Sequence, residues 1–169
     1  MWYDPAFLGL QAASAEHSSS LRRLSRTGEE VVWAFPDVPR PLHEAGLQSC
    51  VSRCTEAVVG VYRGRVIAFG GLGKMEPGGD GFLRHLIVHP DYRGRGVGST
   101  MLRHLTHRAF AHYRCREVHV RVSSRNVPAT LFFYELGFLP YGMLSGVTDP
   151  YGGGIMRLRL RRRDLEEAS

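Results

Sequence analysis

The spacing of apolar residues changes several times along this chain, and each change marks an element. Phe7 to Ala12 is a short apolar run that reads as an opening strand. Ser14 to Arg26 has helical spacing, with Leu21 and Leu24 inward. Glu29 to Pro41 mixes Val31, Val32, Trp33 and Phe35 with three prolines, so it is expected to fold over a core or a cleft rather than form one long helix. Pro41 to Arg53 is a weaker helix. Ala57 to Tyr62 and Arg65 to Leu72 are β-rich runs joined at Arg63-Gly64, the signature of a hairpin. Met75 to Asp80 is a turn and Phe82 to Val88 a third antiparallel strand.

From Gly96 to Ala111 the period returns to that of a helix. Val97, Met101, Leu105 and Ala109 form one stripe, with Arg103, His104, His107 and Arg108 mostly outward. Val118 to Ser123 is a strand. Asn126 reads as an N-cap, with Pro128 in the first turn and Gly137 at the helix end. Phe138 to Leu144 and Ile155 to Arg161 complete the strands. This order predicts an α/β (α+β) fold: one domain over residues 1–169, with a mixed, mostly antiparallel sheet of about six or seven strands flanked by helices.

Composition narrows the class. The 169 residues are 43% hydrophobic and 22% charged, ordinary for a folded soluble chain. No apolar run reaches the length of a membrane span, and Met1 to Asp4 lack the start of a signal peptide, so a cytoplasmic protein is expected. Cys50, Cys54 and Cys115 are an odd set without further ligands nearby, which speaks for reduced structural thiols and no metal. The net charge of +6 rests on arginine, since Lys74 is the sole lysine. Such basicity suits polyanions. No nucleic-acid-binding motif accompanies it, however, and Arg157, Arg159 and Arg161 recur with period two, as on a solvated strand face. A field that draws in the phosphates of a nucleotide cofactor is the other reading.

The stretch Leu86-Ile87-Val88-His89-Pro90-Asp91-Tyr92-Arg93-Gly94-Arg95-Gly96-Val97-Gly98-Ser99 is a strand, a glycine-rich turn and a helix start. Such a turn aims successive N–H groups at one point and adds the positive end of the helix dipole, both favourable to phosphate. A Walker A loop needs lysine where Gly98 stands, and a dinucleotide fingerprint needs G-x-G-x-x-G in a parallel unit. Neither fits.

Arg93-Gly94-Arg95-Gly96-Val97-Gly98 resembles the R/Q-x-x-G-x-G/A signature of the GNAT N-acetyltransferases. Leu86 to Pro90 is similar to the strand that leads into it, and Asn126-Val127-Pro128-Ala129 with Leu136-Gly137-Phe138 to the second family block. The resemblance runs from about Val58 to Leu144. It implies acetyl-coenzyme A as cosubstrate. Leu86, Ile87 and Val88 would pair with the pantetheine arm, and the amides of Gly94 to Ser99 would hold the pyrophosphate. Asn126, Ala129 and Phe133 would lie along the arm. The sheet would splay between the strands ending at Val88 and starting at Val118.

The reaction implied is direct attack of a primary amine, on a small molecule or a peptide, upon the thioester. An amine of pKa ~10.4 is protonated at neutral pH, at a cost of roughly 4–5 kcal/mol. Family members meet this with a glutamate or histidine base and a tyrosine acid. Here Phe82, Arg84 and Arg121 occupy positions where relatives can carry a base, and Phe133 stands in the tyrosine's place. His85 and Tyr134 are the nearest replacements. Strict alternation turns His85 to the opposite face unless a bulge near Leu86 redirects it, and Tyr134 is rotated about 100° from Phe133. Tyr141 is the third residue to test. Glu29, Glu30 and His43 lie in the segment that often covers the acceptor. Trp33 to Pro36 and Asp149 to Gly152 are similar to a bacterial subgroup with loosely defined amine acceptors. The alternatives are a coenzyme A-binding sensor without turnover and a nucleic-acid-binding protein. Exposed edge strands would permit a homodimer.

Overall fold

The computed structural model describes residues 4–73, 75 and 77–166. Met1 to Tyr3, and Lys74 and Glu76 beside the expected turn, lie outside the described residues. The strands are β1 (Leu8–Ala12), β2 (Glu56–Tyr62), β3 (Arg65–Leu72), β4 (Gly81–Val88), β5 (Glu117–Ser123), β6 (Leu139–Thr148) and β7 (Gly154–Arg161). They form one seven-stranded sheet in the order β1-β2-β3-β4-β5-β7-β6. Every pairing is antiparallel except β4 with β5. The expected mixed, mostly antiparallel sheet is therefore present.

The helices are α1 (Ser18–Leu21), α2 (Gly28–Ala34), α3 (Glu44–Ser52), α4 (Val97–His107), α5 (Val127–Glu135) and α6 (Arg162–Glu166). The expected Ser14–Arg26 helix is instead one α turn between two 3₁₀ turns. Three consecutive serines explain the break. Ser18 Oγ donates to the Ala15 carbonyl, competing with the helical ladder. Leu21 and Leu24 nonetheless face inward, both fully buried. The glycine–arginine hairpin is as expected, with Arg63 and Gly64 both at positive φ (48° and 74°), the geometry of a two-residue hairpin turn.

Two cores lie on opposite faces of the sheet. On one, Val97, Met101, Leu105 and Ala109 of the predicted stripe pack with Val118, Val120, Val122, Leu158 and Leu160. On the other, Leu21, Leu24, Phe35, Leu47 and Val51 cover Val59, Phe69 and Ile87. Adjacent residues Val58 and Val59 enter different cores, as period two requires. β4 serves both. Its register against β3 runs Gly71↔His85 and then Leu72↔Leu83, so Arg84 is an extra residue. That bulge puts Leu83 in the α4 core while Ile87 enters the other.

Candidate active site

The parallel ladder between β4 and β5 has three rungs: Gly81↔Val118, Phe82↔His119 and Leu83↔Val120. Beyond them the strands part, leaving Arg84–Val88 and Arg121–Ser123 as two lips of a fork. Every second N–H and C=O on the inner edge of each lip then lacks a strand partner. Such an edge inside a folded sheet is a template for an extended chain. The expected splay is thus present.

At the mouth of the fork, Gly94 and Gly96 have φ of +67° and +79°. Only glycine takes this conformation without strain. A Cβ at either would meet nothing within 4 Å, so both face open space. The amides of Val97, Gly98 and Ser99 begin α4 and have no preceding turn to bond. The loop therefore fits a diphosphate: donors converge, the helix dipole adds positive charge, and no side chain fills the hollow. Gly98 has another task. Its absent Cβ would stand 3.3 Å from the Phe132 ring and 3.6 Å from Val88, so α4, α5 and β4 close together there.

On the opposite face α2 spans the fork. Thr27 caps it through the Glu30 amide (3.2 Å). Glu30 accepts from Arg93 at 2.5 Å, and Arg93 also donates Nε–H to the Val88 carbonyl at 2.8 Å. The hydrogen bond from Arg93 holds the Glu30 pKa below the usual carboxylate value. Glu29 pairs with Arg125 at 3.2 Å on the other lip. Trp33 donates Nε1–H to Asp149 at 3.2 Å. Burial alone would raise the pKa of Asp149, but hydrogen bonds from Ser123, Gly153, Trp33 and Tyr151 outweigh it and hold it at about 2. Glu29 and Glu30 are thus occupied by arginines, while His43 precedes α3.

At the fork point, on the face away from α4, Phe82 stacks on His119 with centroids 5.2 Å apart. His119 Nδ1 lies 2.9 Å from the Tyr141 hydroxyl. Its buried Nε2, 3.4 Å from Glu117 and 3.6 Å from Asp80, has no hydrogen-bond partner among the described residues. Arg157 and Arg159 lie over the Tyr141 ring. The His119–Tyr141 contact joins strands that β7 separates in the sheet, and nothing in the pattern of either segment names the other. The alternation of His119, Arg121 and Ser123 with valines was the available signal.

His85 is 2% exposed, its Nδ1 2.8 Å from the Ala34 carbonyl and its ring against Phe35 and Phe69. The bulge falls at Arg84, one turn of pleat before the expected place, and it directs His85 into the α2 packing. Burial lowers its pKa, so the ring is a neutral donor to that carbonyl. Tyr134 is 41% exposed on the outer side of α5, away from Phe133. Phe133 is buried against Phe132 and Phe138, both at 5.3 Å. Asn126 Oδ1 caps α5 through the Ala129 amide (3.2 Å) at the end of β5, which brings both residues to the mouth.

The fold and site are those of an α/β domain whose sheet forks beside a glycine-rich turn at the start of a helix. Residues 19–138 match the model of the acetyltransferase (GNAT) family, and the chain belongs to that family. The fold is shared with spermidine N-acetyltransferase from Vibrio cholerae, solved with CoA and spermine (TM-score 0.76, 14% identity, 94% of this chain and 98% of that one). An aminoglycoside acetyltransferase in complex with coenzyme A is also similar (TM-score 0.71, 18% identity, 95% and 98%). Among curated proteins, mouse cysteine-rich protein 2-binding protein is 28% identical over 92 residues, 54% of this chain. The chain spans only 11% of that relative's length. Among the described residues no helix is long and apolar enough to cross a membrane.

Proposed function

We propose that this chain moves an acetyl group from acetyl-coenzyme A to a primary amine. The observation that carries the reading is the fork itself: a ladder that stops at Leu83 and Val120, opening onto amides that begin at Gly94. Leu86 to Val88 pair with the extended arm of the donor, and the amides from Gly94 to Ser99 take its diphosphate, with Arg95 adding charge and Arg93, paired with Glu30, tying the loop to Val88. Asn126 and Ala129 border the arm from the second lip, and Phe133 backs it through Phe132. Bound there, acetyl-coenzyme A supplies an activated thioester.

The amine enters from the face that α2 covers. The His85 side chain is buried against Ala34 and Tyr134 lies on the outer side of α5, so catalysis rests on alignment of the two substrates and on backbone donors, with water carrying the proton. Thiol release from acetyl-coenzyme A across a panel of amines is the test. Release that follows the amine supports transfer. Coenzyme A uptake by calorimetry with no release from any amine supports the second reading, a sensor; the burial of Phe133 in the tyrosine's place favours it. Absence of uptake by folded protein removes both.

A further inference from the structure

Resting on the acetyl-transfer reading, we infer that the acceptor is an amine that also carries an oxyanion, held by Arg121 and Arg157. Val118, Val120 and Val122 point into the α4 core, so Glu117, His119, Arg121 and Ser123 face the other way. Arg121 is the first residue of β5 beyond the ladder, at the fork point on the face that α2 covers. Its cross-strand partner in β7 is Arg157.

Like charges placed directly opposite destabilise a sheet, so this row calls for a counter-anion. The protein offers none among the described residues: neither arginine has an ion pair. The carboxylates nearby are committed elsewhere. Glu117 lies against Arg159 (3.4 Å), Arg161 (3.7 Å) and His119, and Asp80 against Arg116 (3.5 Å). On the other side Asp149 is saturated by four donors, from Ser123, Trp33, Tyr151 and Gly153. Arg157 is fixed over the Tyr141 ring at 4.9 Å, yet its buried Nε–H has no acceptor. A buried donor without a partner is costly, and a carboxylate or phosphonate on the outer nitrogens of the two guanidiniums would neutralise the pair. A polycation would meet two arginines without ion pairs here, and carboxylates already engaged.

The test uses matched amines with acetyl-coenzyme A: phenylalanine against phenylalaninamide, and 2-aminoethylphosphonate against ethanolamine, with spermidine as the polycation. One or both anionic members are expected to have kcat/KM at least about 10-fold above their neutral partners, and spermidine to rank last. The carboxylate and phosphonate arms say which oxyanion is taken. In Arg121→Gln with Arg157→Gln the ratio within each pair falls toward one. A purely structural role predicts a lower melting temperature instead; relief of repulsion predicts an equal or higher one. Preference for spermidine, or ratios unaffected by the substitutions, overturns the inference and leaves acetyl transfer standing. If no amine releases thiol, acetyl transfer fails. The pair is then judged by calorimetry with coenzyme A-loaded protein. Uptake of an anionic amine that the double variant loses supports the pair, and its absence overturns it.

Discussion

Asp149→Asn tests whether the clamp between α2 and the β6–β7 turn rests on charge. The carboxylate accepts Trp33 at 3.2 Å, Tyr151 N–H at 2.8 Å, Gly153 N–H at 2.9 Å and the Ser123 hydroxyl. An amide keeps the shape but turns one acceptor into a donor facing other donors. The pKa drop from 3.8 to about 2 sets the scale. At 1.36 kcal/mol per unit it amounts to roughly 2 kcal/mol, rounded down because the turn borders solvent. A depressed carboxylate contributes that stability above pH 3.8, and it is lost as the pH falls toward 2. In urea unfolding followed by tryptophan fluorescence, the variant is expected to be about 2 kcal/mol less stable at pH 7, or roughly 6 °C in Tm. The gap should narrow steadily between pH 4 and pH 2.5. A gap that is pH-independent, or absent at pH 7, refutes the reasoning. Because Trp33 holds the roof of the fork, KM for the amine should rise about tenfold while coenzyme A affinity holds.

Gly94→Ala and Gly96→Ala each force an L residue to positive φ, costing about 1–2 kcal/mol of stability and at least about tenfold in coenzyme A affinity by calorimetry. His85→Gln and Tyr134→Phe are expected to change turnover by less than about threefold; a loss of orders of magnitude with folding and coenzyme A affinity intact would reveal a dedicated acid or base. Burial depresses the His85 pKa in the fold, so its share of stability is present above pH 6.5 and is lost as the pH falls further, a decline that His85→Gln should abolish. Burial raises the thiols of Cys50 and Cys54 to about 11, so both should resist a disulfide reagent at pH 8 until the protein unfolds.

The glycine-rich turn before α4 was legible because its demand is written in residue type: positive φ at Gly94 and Gly96 leaves few alternatives to glycine. The α4 stripe was legible because its partners are local in period. The roof was not. Glu30 meets Arg93 and Trp33 meets Asp149 across 63 and 116 residues of chain, and nothing in the pattern of either segment names the other. Glu29 and Glu30 lie in the segment expected to cover the acceptor, yet each is spent on an arginine. The face at the fork point was hidden by one irregularity, the extra Arg84 in β4. A bulge reverses the side of everything beyond it, so strict alternation misplaces residues where the strands part.

The irregularity in β4 and the fork coincide. Leu83, Leu86 and Val88 keep β4 on the α4 core while Ile87 enters the opposite one, so the extra Arg84 shifts the pleat just where the ladder with β5 ends. The sheet there carries unpaired backbone groups that water satisfies until an extended chain displaces it. Hydrogen exchange reads this directly. With coenzyme A at 100 times its Kd, amides on the open edge of Arg84–Val88 that exchange from the free protein should slow by up to about 100-fold. Amides of Arg65–Leu72, already paired on both sides, should change far less. Equal slowing across β3 and β4 would mean that binding tightens the whole fold, and the idea of an added strand at the fork would fall.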